Sequence, residues 1–450
     1  MTQMIPTTNR RLSIAVVGTG IAGMSAAWLL NQGHRVTVYE QNGRIGGHSN
    51  TVDVTTPRGI IPVDTGFIVY NERNYPNLTA LFRHLDVPVK DSEMSFAASL
   101  DAGKMEYAGD GLNGLLGQRI NMVRPRFWRM VKDLLRFYSE APSFLDDPKS
   151  DDISLGEYLR RERYSESFIN DHLLPMGAAV WSTTAPEMKD YPAAAFIRFF
   201  QSHGLLQLKN RPQWRTVDGG SRQYVRRLTE SYRDRIRFGG VQSVSRAGNK
   251  VLVKDSQGSV QAYDHVVIAT HADEAFQMLA DADPLETRLL GGWRYTQNRA
   301  VLHSDSALMP RRRRVWSSWN FIGDRTHGRE QNLCVTYWMN RLQSLDPRDP
   351  LFVTLNPARE PAPGTILREF EYTHPYFDRA ALSAQQQLWS LQGHRRTWYC
   401  GSYFGYGFHE DGLQSGLAVA EQLGGVRRPW TVEGESDRII LPSEYQVAAA

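Results

Sequence analysis

The sequence predicts an α/β fold that contains a Rossmann-type domain built on a parallel sheet. Three observations support this prediction. The β-branched run at 14–17 is typical of a buried strand, three glycines follow it at GxGxxG spacing, and Glu40 closes the next apolar run about 20 residues later. A GxGxxG match alone is weak, but here strand, spacing, helix and terminal acid coincide.

The glycine turn, residues 18–23, joins the first strand to an apolar helix at 24–30. Gly18 permits the tight turn, Gly20 lets a pyrophosphate approach the backbone, and Gly23 allows the helix to pack closely on the strand. The start of the helix adds free N–H groups and a partial positive charge. We therefore expect this segment to bind an anion.

The second strand, at 35–39, ends at Glu40. A carboxylate at this place accepts hydrogen bonds from both ribose hydroxyls of an adenine dinucleotide. The same carboxylate repels a 2′-phosphate, so the expected ligand is a dinucleotide that lacks a phosphate on the ribose 2′-oxygen.

The segment RIGGHSNTVDVTTPRGIIPVDTGFIVYN follows directly and contains Arg44, Gly46 and Gly47, then Asp64 and Gly66. A Gly-Gly pair by itself only marks a close backbone approach. At this point the chain resembles the flavin amine oxidoreductase superfamily, which includes amine oxidases, phytoene desaturases and protoporphyrinogen oxidase. The resemblance implies that the RxGG residues run beneath the pyrophosphate and flavin of FAD.

The C-terminal segment WYCGSYFGYGFHEDGLQSGLAVAEQLGG (398–425) reads as a strand, an aromatic loop and a helix with Asp411 as its N-cap. The resemblance places Gly401 at the pyrophosphate, and Gly412 and Leu413 at the flavin. It also assigns 216–230, 239–246 and 264–275 to the cofactor domain. The FAD contacts expected on this basis are Gly18, Gly20, Ile21, Ala22, Gly23, Glu40, Gln41, Arg44, Gly46, Gly47, His48, Phe67, Ile68, Val241, Gly401, Gly412 and Leu413.

The same resemblance implies two interleaved domains of amine-oxidase type. A glutathione-reductase-like FAD domain is expected at 11–92, 215–290 and 385–432, and an α+β substrate domain at 93–214 and 291–384. Residues 433–450 read as a tail. No second GxGxxG introduces an NAD(P)H domain, so we expect electrons to come from an organic substrate and leave to oxygen, a quinone or another carrier.

Composition agrees with a globular protein of two or three domains. The 450 residues are 41% hydrophobic and 22% charged, with a net charge of +4. The N-terminus lacks a charged and then apolar leader, so we expect no secretion signal. Two cysteines, Cys334 and Cys400, offer neither a disulfide framework nor a metal-ligand cluster. We expect a cytoplasmic protein without a bound metal.

Two basic stretches contain interleaved aromatic residues. Residues 118–145 combine aromatic and aliphatic side chains with Arg119, Arg124, Arg126, Arg129, Lys132 and Arg136, and residues 309–321 repeat the theme. This mixture suits a helix that lies on an anionic membrane, on the inner face if the protein is cytoplasmic. A core-facing helix with a charged outer face explains the first stretch equally well. Nucleic acid is not the expected partner, because neither stretch belongs to a recognisable binding module.

Departures from the superfamily pattern concern the chemistry. Amine oxidases place a lysine near the flavin from the C-terminal half of the substrate domain, whereas this chain has no lysine after Lys254. The chain also resembles, over a longer length, the flavin-oxidase domain fused ahead of plant cyclopropane fatty acid synthases, and related bacterial flavoproteins. The residues that carry this resemblance include 64–99, 337–343 and 405–412. That resemblance implies oxidation or desaturation of an unsaturated or methylated lipid acyl chain, and a lipid-methylating enzyme as a partner. Oxidation of a small amine is the alternative.

Desaturation requires the loss of a hydride and of a neighbouring proton, so a base is expected near the flavin. A histidine suits this role because its ordinary pKa is about 6.5. His409 is the first candidate, and His48 is the second. Either histidine could instead position the flavin. Tyr406 is the third candidate; with Tyr403, Phe404 and Phe408 it would form an apolar slot, or simply pack on the flavin. A different class of function remains open, in which the chain binds FAD as a non-catalytic accessory subunit.

Overall fold

The structure is a computed structural model that describes residues 11–147, 150, 153–323 and 334–442. Its central feature is a parallel sheet whose five strands all lie in this described part of the chain. The strands are short and rich in valine and isoleucine, as expected for strands covered on both faces. In spatial order they are Ile236–Phe238, Arg35–Glu40, Ser13–Val17, His265–Ile268 and Thr397–Tyr399.

Helices cover the parallel sheet. The first helix, Ile21–Leu30, is buried along its whole length and packs against the last helix, His409–Gly424. It begins directly after Gly20, three residues before the predicted start. The other elements of this part are the helices Arg222–Thr229, Ala272–Met278, Pro284–Leu290 and Arg379–Gln385, and an antiparallel sheet of Val241–Ala247, Lys250–Asp255 and Val260–Tyr263.

A large mixed sheet forms the second part of the molecule. It is antiparallel except where Trp319–Gly323 runs parallel to Phe96–Leu100. Its long strands, Arg294–His303 and Ile366–Tyr376, pair over ten positions. In spatial order the described strands are Ile366–Tyr376, Arg294–His303, Phe352–Leu355, Val335–Trp338, Trp319–Gly323, Phe96–Leu100 and Met105–Ala108.

The remaining elements lie around this sheet, at its junction with the first part, and, for 3₁₀ segments such as Glu230–Arg235 and Ser402–Phe404, within the first part. Two small sheets at the junction pair Thr51–Thr56 with Gly59–Asp64, and Trp214–Val217 with both Tyr70–Asn71 and Val89–Ser92. The α-helices are Pro76–His84, Gly111–Leu115, Pro125–Glu140, Leu155–Arg161, Glu166–Phe168, Leu174–Trp181, Ala185–Asp190, Ala193–Ser202 and Met339–Leu342, with a π-helical turn at Ile169–Leu173. The described 3₁₀ segments are Arg119–Val123, Ala141–Asp146, Glu230–Arg235, Ser306–Leu308, Arg313–Val315, Leu388–Leu391, His394–Arg396 and Ser402–Phe404.

The predicted fold class is confirmed: a Rossmann-type parallel sheet is interleaved with a second, α+β part. The strands of the parallel sheet come from both ends and the middle of the chain, and those of the mixed sheet lie between 96 and 376. The exact domain boundaries given above stay predictions. Residues 443–450 of the predicted tail, like residues 1–10, lie outside the described residues.

Part of the predicted tail packs on the protein. Arg438 is buried, its guanidinium lies 3.3 Å from a carboxylate oxygen of Asp411, and Ile439 belongs to the core. Asp411 is not the N-cap of the last helix. That position belongs to Phe408, and the Asp411 carboxylate lies three residues further on and accepts a hydrogen bond from the Phe408 N–H at 2.6 Å. Residues 438 and 439 therefore contact the rest of the protein, and the assignment of 433–450 as a tail stays a prediction.

Candidate functional site

A cavity of about 830 Å³ opens between the two parts of the molecule. One end lies at the carboxyl ends of the parallel strands, where the glycine turn, Glu40 and the segments 269–271 and 401–412 form the wall. Ligands of open α/β sheets bind at this edge. The other end is formed by the mixed sheet and by the helices Leu174–Trp181 and Ala193–Ser202.

The three glycines of the turn have different reasons to lack a side chain. A Cβ at Gly18 would lie 2.7 Å from the Ala269 carbonyl oxygen, and one at Gly23 would lie 2.1 Å from the Gly18 oxygen. Both positions therefore need glycine for packing. A Cβ at Gly20 would meet nothing within 4 Å, and Gly20 lines the cavity. The space beside Gly20 suits a phosphate.

Glu40 is buried at the end of its strand and lines the cavity. Its carboxylate accepts hydrogen bonds from the Asn42 N–H at 2.8 Å, from the Thr19 N–H at 3.2 Å and from the Thr19 hydroxyl. Because donors of the turn hold the carboxylate, it is positioned before any ligand binds. Gln41 and Val241 line the cavity nearby.

Arg44 holds the Gly-Gly loop in place. Its guanidinium donates a hydrogen bond to the Gly47 carbonyl at 2.8 Å. Gly47 passes so close to the turn that an added Cβ would lie 2.9 Å from the Gly20 Cα. The two segments predicted to bind one ligand are thus in contact.

Most of the other predicted contacts also line the cavity: Ile21, Ala22, His48, Phe67, Ile68, Gly401 and Gly412. Three do not. Gly23 packs on the turn, Gly46 donates its N–H to the Thr19 carbonyl at 3.1 Å, and the Leu413 side chain is in the core. Gly412 brings the last helix against the first, because an added Cβ would lie 2.9 Å from Ile21.

His409 lies in the cavity wall at the start of the last helix. Its ring stacks on Phe67 with centroids 3.9 Å apart, and its Nε2 lies 2.7 Å from the Tyr224 hydroxyl. Burial lowers the pKa of His409 to about 3. The imidazole is therefore neutral near pH 7, and one of its nitrogens is already hydrogen-bonded.

His48, like His409, lines the cavity. Its Nε2 is buried and has no hydrogen-bond partner among the described residues. The ring centroid lies 5.3 Å from that of His374 and 5.1 Å from that of Tyr372. Burial, followed by the neighbouring His374, holds the pKa of His48 well below its ordinary value. This nitrogen has almost no accessible surface, so it points into the packed protein and not into the cavity.

The predicted aromatic slot is present in part. Tyr403, Tyr406 and Phe408 line the cavity, and burial raises the pKa of Tyr406, so that its phenol stays protonated. Phe404 is not in the wall. It packs edge-on against Trp389, with centroids 5.9 Å apart.

Sequence reasoning missed the far wall of the cavity. That wall contains Met176, Val180, Trp181, Phe199 and Leu205, which carry no motif. It also missed one face of the strand Ile366–Tyr376. Phe370, Tyr372 and His374 alternate along this strand and line the cavity, and their spacing of two is the signal that could have grouped them.

Asn340 and Arg341, considered above only as part of the longer match at 337–343, lie away from the cavity. They belong to the helix Met339–Leu342, which follows the strand Val335–Trp338. Asn340 donates to the carbonyls of Asp346 and Asp349, both at 2.7 Å. Arg341 forms an ion pair with Asp110 at 2.6 Å. Both residues stabilise the fold around that helix.

The basic stretch 118–145 forms a 3₁₀ turn, the helix Pro125–Glu140 and a second 3₁₀ turn. Three of its six cations make structural contacts. Arg124 donates hydrogen bonds to the Lys104 carbonyl at 2.6 Å and to Asn121 at 3.1 Å. Arg126 forms a bidentate ion pair with the buried Asp171, at 2.7 and 2.9 Å, and Arg136 stacks on Tyr164 at 4.0 Å.

The other side of this stretch is exposed. Arg119, Arg129 and Lys132 have no ion-pair partner among the described residues. Apolar side chains project beside them, including Leu112 and Val123, whose exposed fractions are 77% and 73%. We call this surface the basic apolar face; it consists of Leu112, Arg119, Ile120, Met122, Val123, Trp128, Arg129, Lys132, Arg313 and Arg314.

No helix in the described ranges is long and apolar enough to span a bilayer. Both cysteines are buried and outside the cavity lining; burial raises the pKa of Cys334 to about 11 and that of Cys400 further. Lysine is absent from the described cavity wall.

Comparison with known proteins gives matches over most of the chain. The family described as "Flavin containing amine oxidoreductase" matches residues 21–341. A protein of Mycobacterium tuberculosis named "Putative flavin-containing monoamine oxidase AofH" is 28% identical over 261 residues. That match covers 56% of this chain and 55% of the relative, so the chain spans about half the length of the curated relative.

Solved structures share the fold at low sequence identity. Cyclohexylamine oxidase from Brevibacterium oxydans IH-35A superposes with a TM-score of 0.64 at 17% identity, covering 92% of this chain and 100% of that one. The CLA-producing fatty acid isomerase from P. acnes superposes with a TM-score of 0.63 at 15% identity, covering 92% and 98%. One architecture thus serves proteins named for amines and for fatty acids, and the choice between these substrates depends on the site.

Proposed function

Because the chain belongs to the flavin containing amine oxidoreductase family, we propose that it is a FAD-dependent oxidoreductase. Its proposed substrate is an unsaturated or methylated acyl chain of a membrane lipid, which it oxidises or desaturates. The observation that carries this proposal is the cavity, which joins a dinucleotide-binding edge to a long aromatic and aliphatic wall.

The residues at the sheet edge fit FAD. Glu40 is held as an acceptor for ribose hydroxyls, and the open space beside Gly20 accepts the pyrophosphate. The Gly-Gly loop and the start of the last helix continue the wall beyond that space. When bound, the flavin supplies a two-electron acceptor for hydride removal.

The chain's own part in the reaction is to hold the substrate and receive the single proton that leaves the carbon next to the site of hydride removal. An unactivated alkyl C–H bond is too strong for this chemistry, so the substrate carbon is expected to be allylic or to form a conjugated product. His409 is the first candidate base: its Nε2 lies 2.7 Å from the Tyr224 hydroxyl, and its Nδ1 has no hydrogen-bond partner among the described residues. His48 is the second candidate, and its Nε2 is enclosed by the protein. Tyr406 is a protonated donor in the same wall.

The buried wall favours an apolar substrate. The described carboxylates of the lining are Glu40 at the dinucleotide end and the exposed Glu274 and Glu371. A charged amine in the buried half would therefore face rings and aliphatic groups instead of a carboxylate. Arg211 is an exposed cation of the lining, and its charge suits the phosphate or carboxylate of a lipid.

An acyl chain must be taken from a membrane, because each methylene costs about 0.8 kcal/mol to transfer into water. The basic apolar face has the composition of a surface that binds an anionic bilayer, with cations beside exposed apolar groups. The helix Pro125–Glu140 that contributes to this face also carries Tyr138, whose pKa is raised by burial and lowered in part by Arg211 of the cavity lining.

Two other functions have support of their own. Oxidation of a small amine is favoured by the relative named as a monoamine oxidase and by the fold shared with cyclohexylamine oxidase. A non-catalytic, FAD-binding subunit of a lipid-methylating enzyme agrees with the resemblance to flavin-oxidase domains fused to lipid-modifying enzymes.

The fatty acid composition of cells that carry the gene, compared with that of cells that lack it, distinguishes lipid oxidation from amine oxidation and from an accessory role. We expect one unsaturated or methylated acyl species to be converted when the wild-type protein is present, and to persist with the Glu40→Arg variant, which should lack FAD. An acyl profile that does not depend on the gene would contradict the lipid proposal. Conversion restored equally by a FAD-free variant would indicate an accessory role.

A further inference from the structure

His374 projects from the strand Ile366–Tyr376 into the cavity wall, beside His48. Its Nδ1 lies 3.0 Å from the side-chain nitrogen of Asn298 on the neighbouring strand. Its Nε2 has no hydrogen-bond partner within the described part of the chain. One ring nitrogen is thus fixed by the protein, and the other is available to a bound group.

A backbone N–H determines the direction of every hydrogen bond that leads to His374. The Arg299 N–H can only donate, and it donates to Asn356 Oδ1 at 2.9 Å. The Asn356 amide nitrogen therefore points the other way and donates to Asn298 Oδ1 at 2.7 Å. The backbone of Asn356 is in a left-handed conformation, with φ of 47°.

The same logic continues to the histidine. Since Asn298 Oδ1 is occupied as an acceptor, its Nδ2 faces His374. The Thr296 carbonyl, which can only accept, lies 3.3 Å from the same Nδ2 and fixes the same orientation. The Nδ1 of His374 must then accept a hydrogen bond and carries no proton. In a neutral imidazole the proton is consequently on Nε2.

His374 is neutral near pH 7 because burial, with a further contribution from His271, lowers its pKa to about 4. The titratable groups that face it are His271 and His48, and Arg44 acts on the His48 side. None of these groups is an anion that would favour the charged imidazole.

We propose that His374 is a fixed hydrogen-bond donor to the bound FAD, and that Asn298 and Asn356 are the positioning residues that keep the proton on its Nε2. The inference rests on the proposed function, because it takes the bound group to be FAD. A donor beside the flavin stabilises the reduced state, which carries more negative charge on its acceptor atoms. The flavin midpoint potential should therefore depend on the His374 tautomer.

The test variant is Asn298→Asp. The carboxylate can still accept from Asn356, but its second oxygen cannot donate to His374 Nδ1, so Nδ1 should gain a proton. Because the new anion also favours the charged imidazole, the variant is read at a pH at which NMR shows its His374 to be neutral, where the Nε2–H donor should be lost. Asn356→Ala is the second variant. It removes one of the two contacts that orient Asn298 and leaves the Thr296 carbonyl in place, so the Nε2 tautomer should stay in excess and a minor Nδ1 tautomer should appear.

Nitrogen NMR of the histidine-labelled protein reads the tautomer with and without FAD, and His374→Gln identifies the signal. His303 is an internal reference, because its Nδ1 accepts from the Asp305 N–H and its Nε2 lies 2.7 Å from Thr354 Oγ1, independently of Asn298. We expect the His374 proton on Nε2 in the wild type and on Nδ1 in Asn298→Asp, together with a lower flavin midpoint potential and a shifted flavin absorbance.

A wild-type proton on Nδ1, or a charged imidazole at pH 7, would overturn the inference. So would an unchanged flavin potential in a variant whose tautomer has switched. If the protein binds no FAD, the proposed function fails instead, and the NMR of the cofactor-free chain still decides the tautomer.

Discussion

Glu40 is the residue on which binding of the dinucleotide depends most directly. Its carboxylate is buried and positioned by the glycine turn and by Asn42. Glu40→Gln should weaken FAD binding by about 10- to 100-fold, because a charged hydrogen bond is worth about 1.5–3 kcal/mol. Glu40→Arg should abolish binding, because it replaces the ribose acceptor with a cation.

The measurement is the FAD content and dissociation constant of the purified variants, with circular dichroism as a control for folding. Normal FAD content in a folded Glu40→Arg variant would show that the ribose lies elsewhere.

The mode of attachment of FAD is also decided at single residues. Cys400, the nearest cysteine, is buried outside the cavity lining, and burial raises its pKa and so disfavours the reactive thiolate. We therefore expect one non-covalent FAD per chain. Acid precipitation should leave the flavin in the supernatant for the wild type and for Cys400→Ser alike. Flavin retained in the wild-type pellet but not in the Cys400→Ser pellet would identify a thioether.

Local chemistry explains which site residues the sequence could predict. Gly18, Gly20 and Glu40 belong to one strand–turn–helix unit, whose spacing along the chain fixes their geometry. His374 depends on Asn298 and Asn356, 76 and 18 residues away in the chain, which come together only when strands of the mixed sheet pair. No local pattern contains that information.

At the scale of elements, the helix Pro125–Glu140 has a structural side and an exposed side. The ion pair of Arg126 with buried Asp171 belongs to the first, and Arg129 and Lys132 belong to the second. Amphipathic periodicity in the sequence predicted the helix but could not assign each arginine to a side. That assignment depends on Asp171, which comes from another segment.

The basic apolar face should bind anionic but not neutral vesicles, and high salt should weaken the binding. Each cation near an anionic surface contributes about 1 kcal/mol, so changing Arg119, Arg129 and Lys132 to Glu should weaken binding by more than about 100-fold at low salt. Vesicle co-sedimentation measures the effect, and FAD content should stay normal.

Apolar contributions to the same face are tested separately. Val123→Ser with Trp128→Ser should also reduce vesicle binding, whereas Ile60→Ser, at a similarly exposed apolar residue outside the face, should leave it unchanged. Equal partitioning of the wild type to neutral and anionic vesicles would contradict membrane docking by this face.

The whole molecule contains histidines that burial keeps neutral. His303 is fully buried, and burial lowers its pKa to about 4. In the unfolded chain His303 binds a proton at about pH 6.5. The contribution of neutral His303 to the free energy of unfolding is therefore complete above that pH and is lost as the pH falls towards 4. His303 should account for about 2 kcal/mol of the stability lost between pH 7 and pH 5.

The free energy of unfolding of wild type and His303→Gln, measured at both pH values, checks this prediction. The loss between pH 7 and pH 5 should be smaller in the variant, whatever its stability at pH 7. The same loss in both proteins would show that His303 does not stay neutral in the folded state.

The overall architecture was predictable because its cofactor segments carry recognisable motifs at both ends of the chain. The strand Thr397–Tyr399, expected from the sequence near residue 398, joins His265–Ile268 in the parallel sheet. The far wall of the cavity was not predictable. Its helices present ordinary apolar side chains, and only packing against the mixed sheet turns Trp181 and Phe199 into cavity residues.

We propose that a lipid acyl chain, and not a small amine, delivers electrons to the bound flavin. The test is to mix the FAD-loaded protein anaerobically with phospholipids that carry unsaturated or methylated acyl chains, and separately with a panel of small amines. The visible absorbance of the flavin shows which of them reduces it. We expect a lipid to bleach the flavin, oxygen or a quinone to restore the colour, and no amine to match that rate. Faster bleaching by an amine, with none by any lipid, would contradict the account.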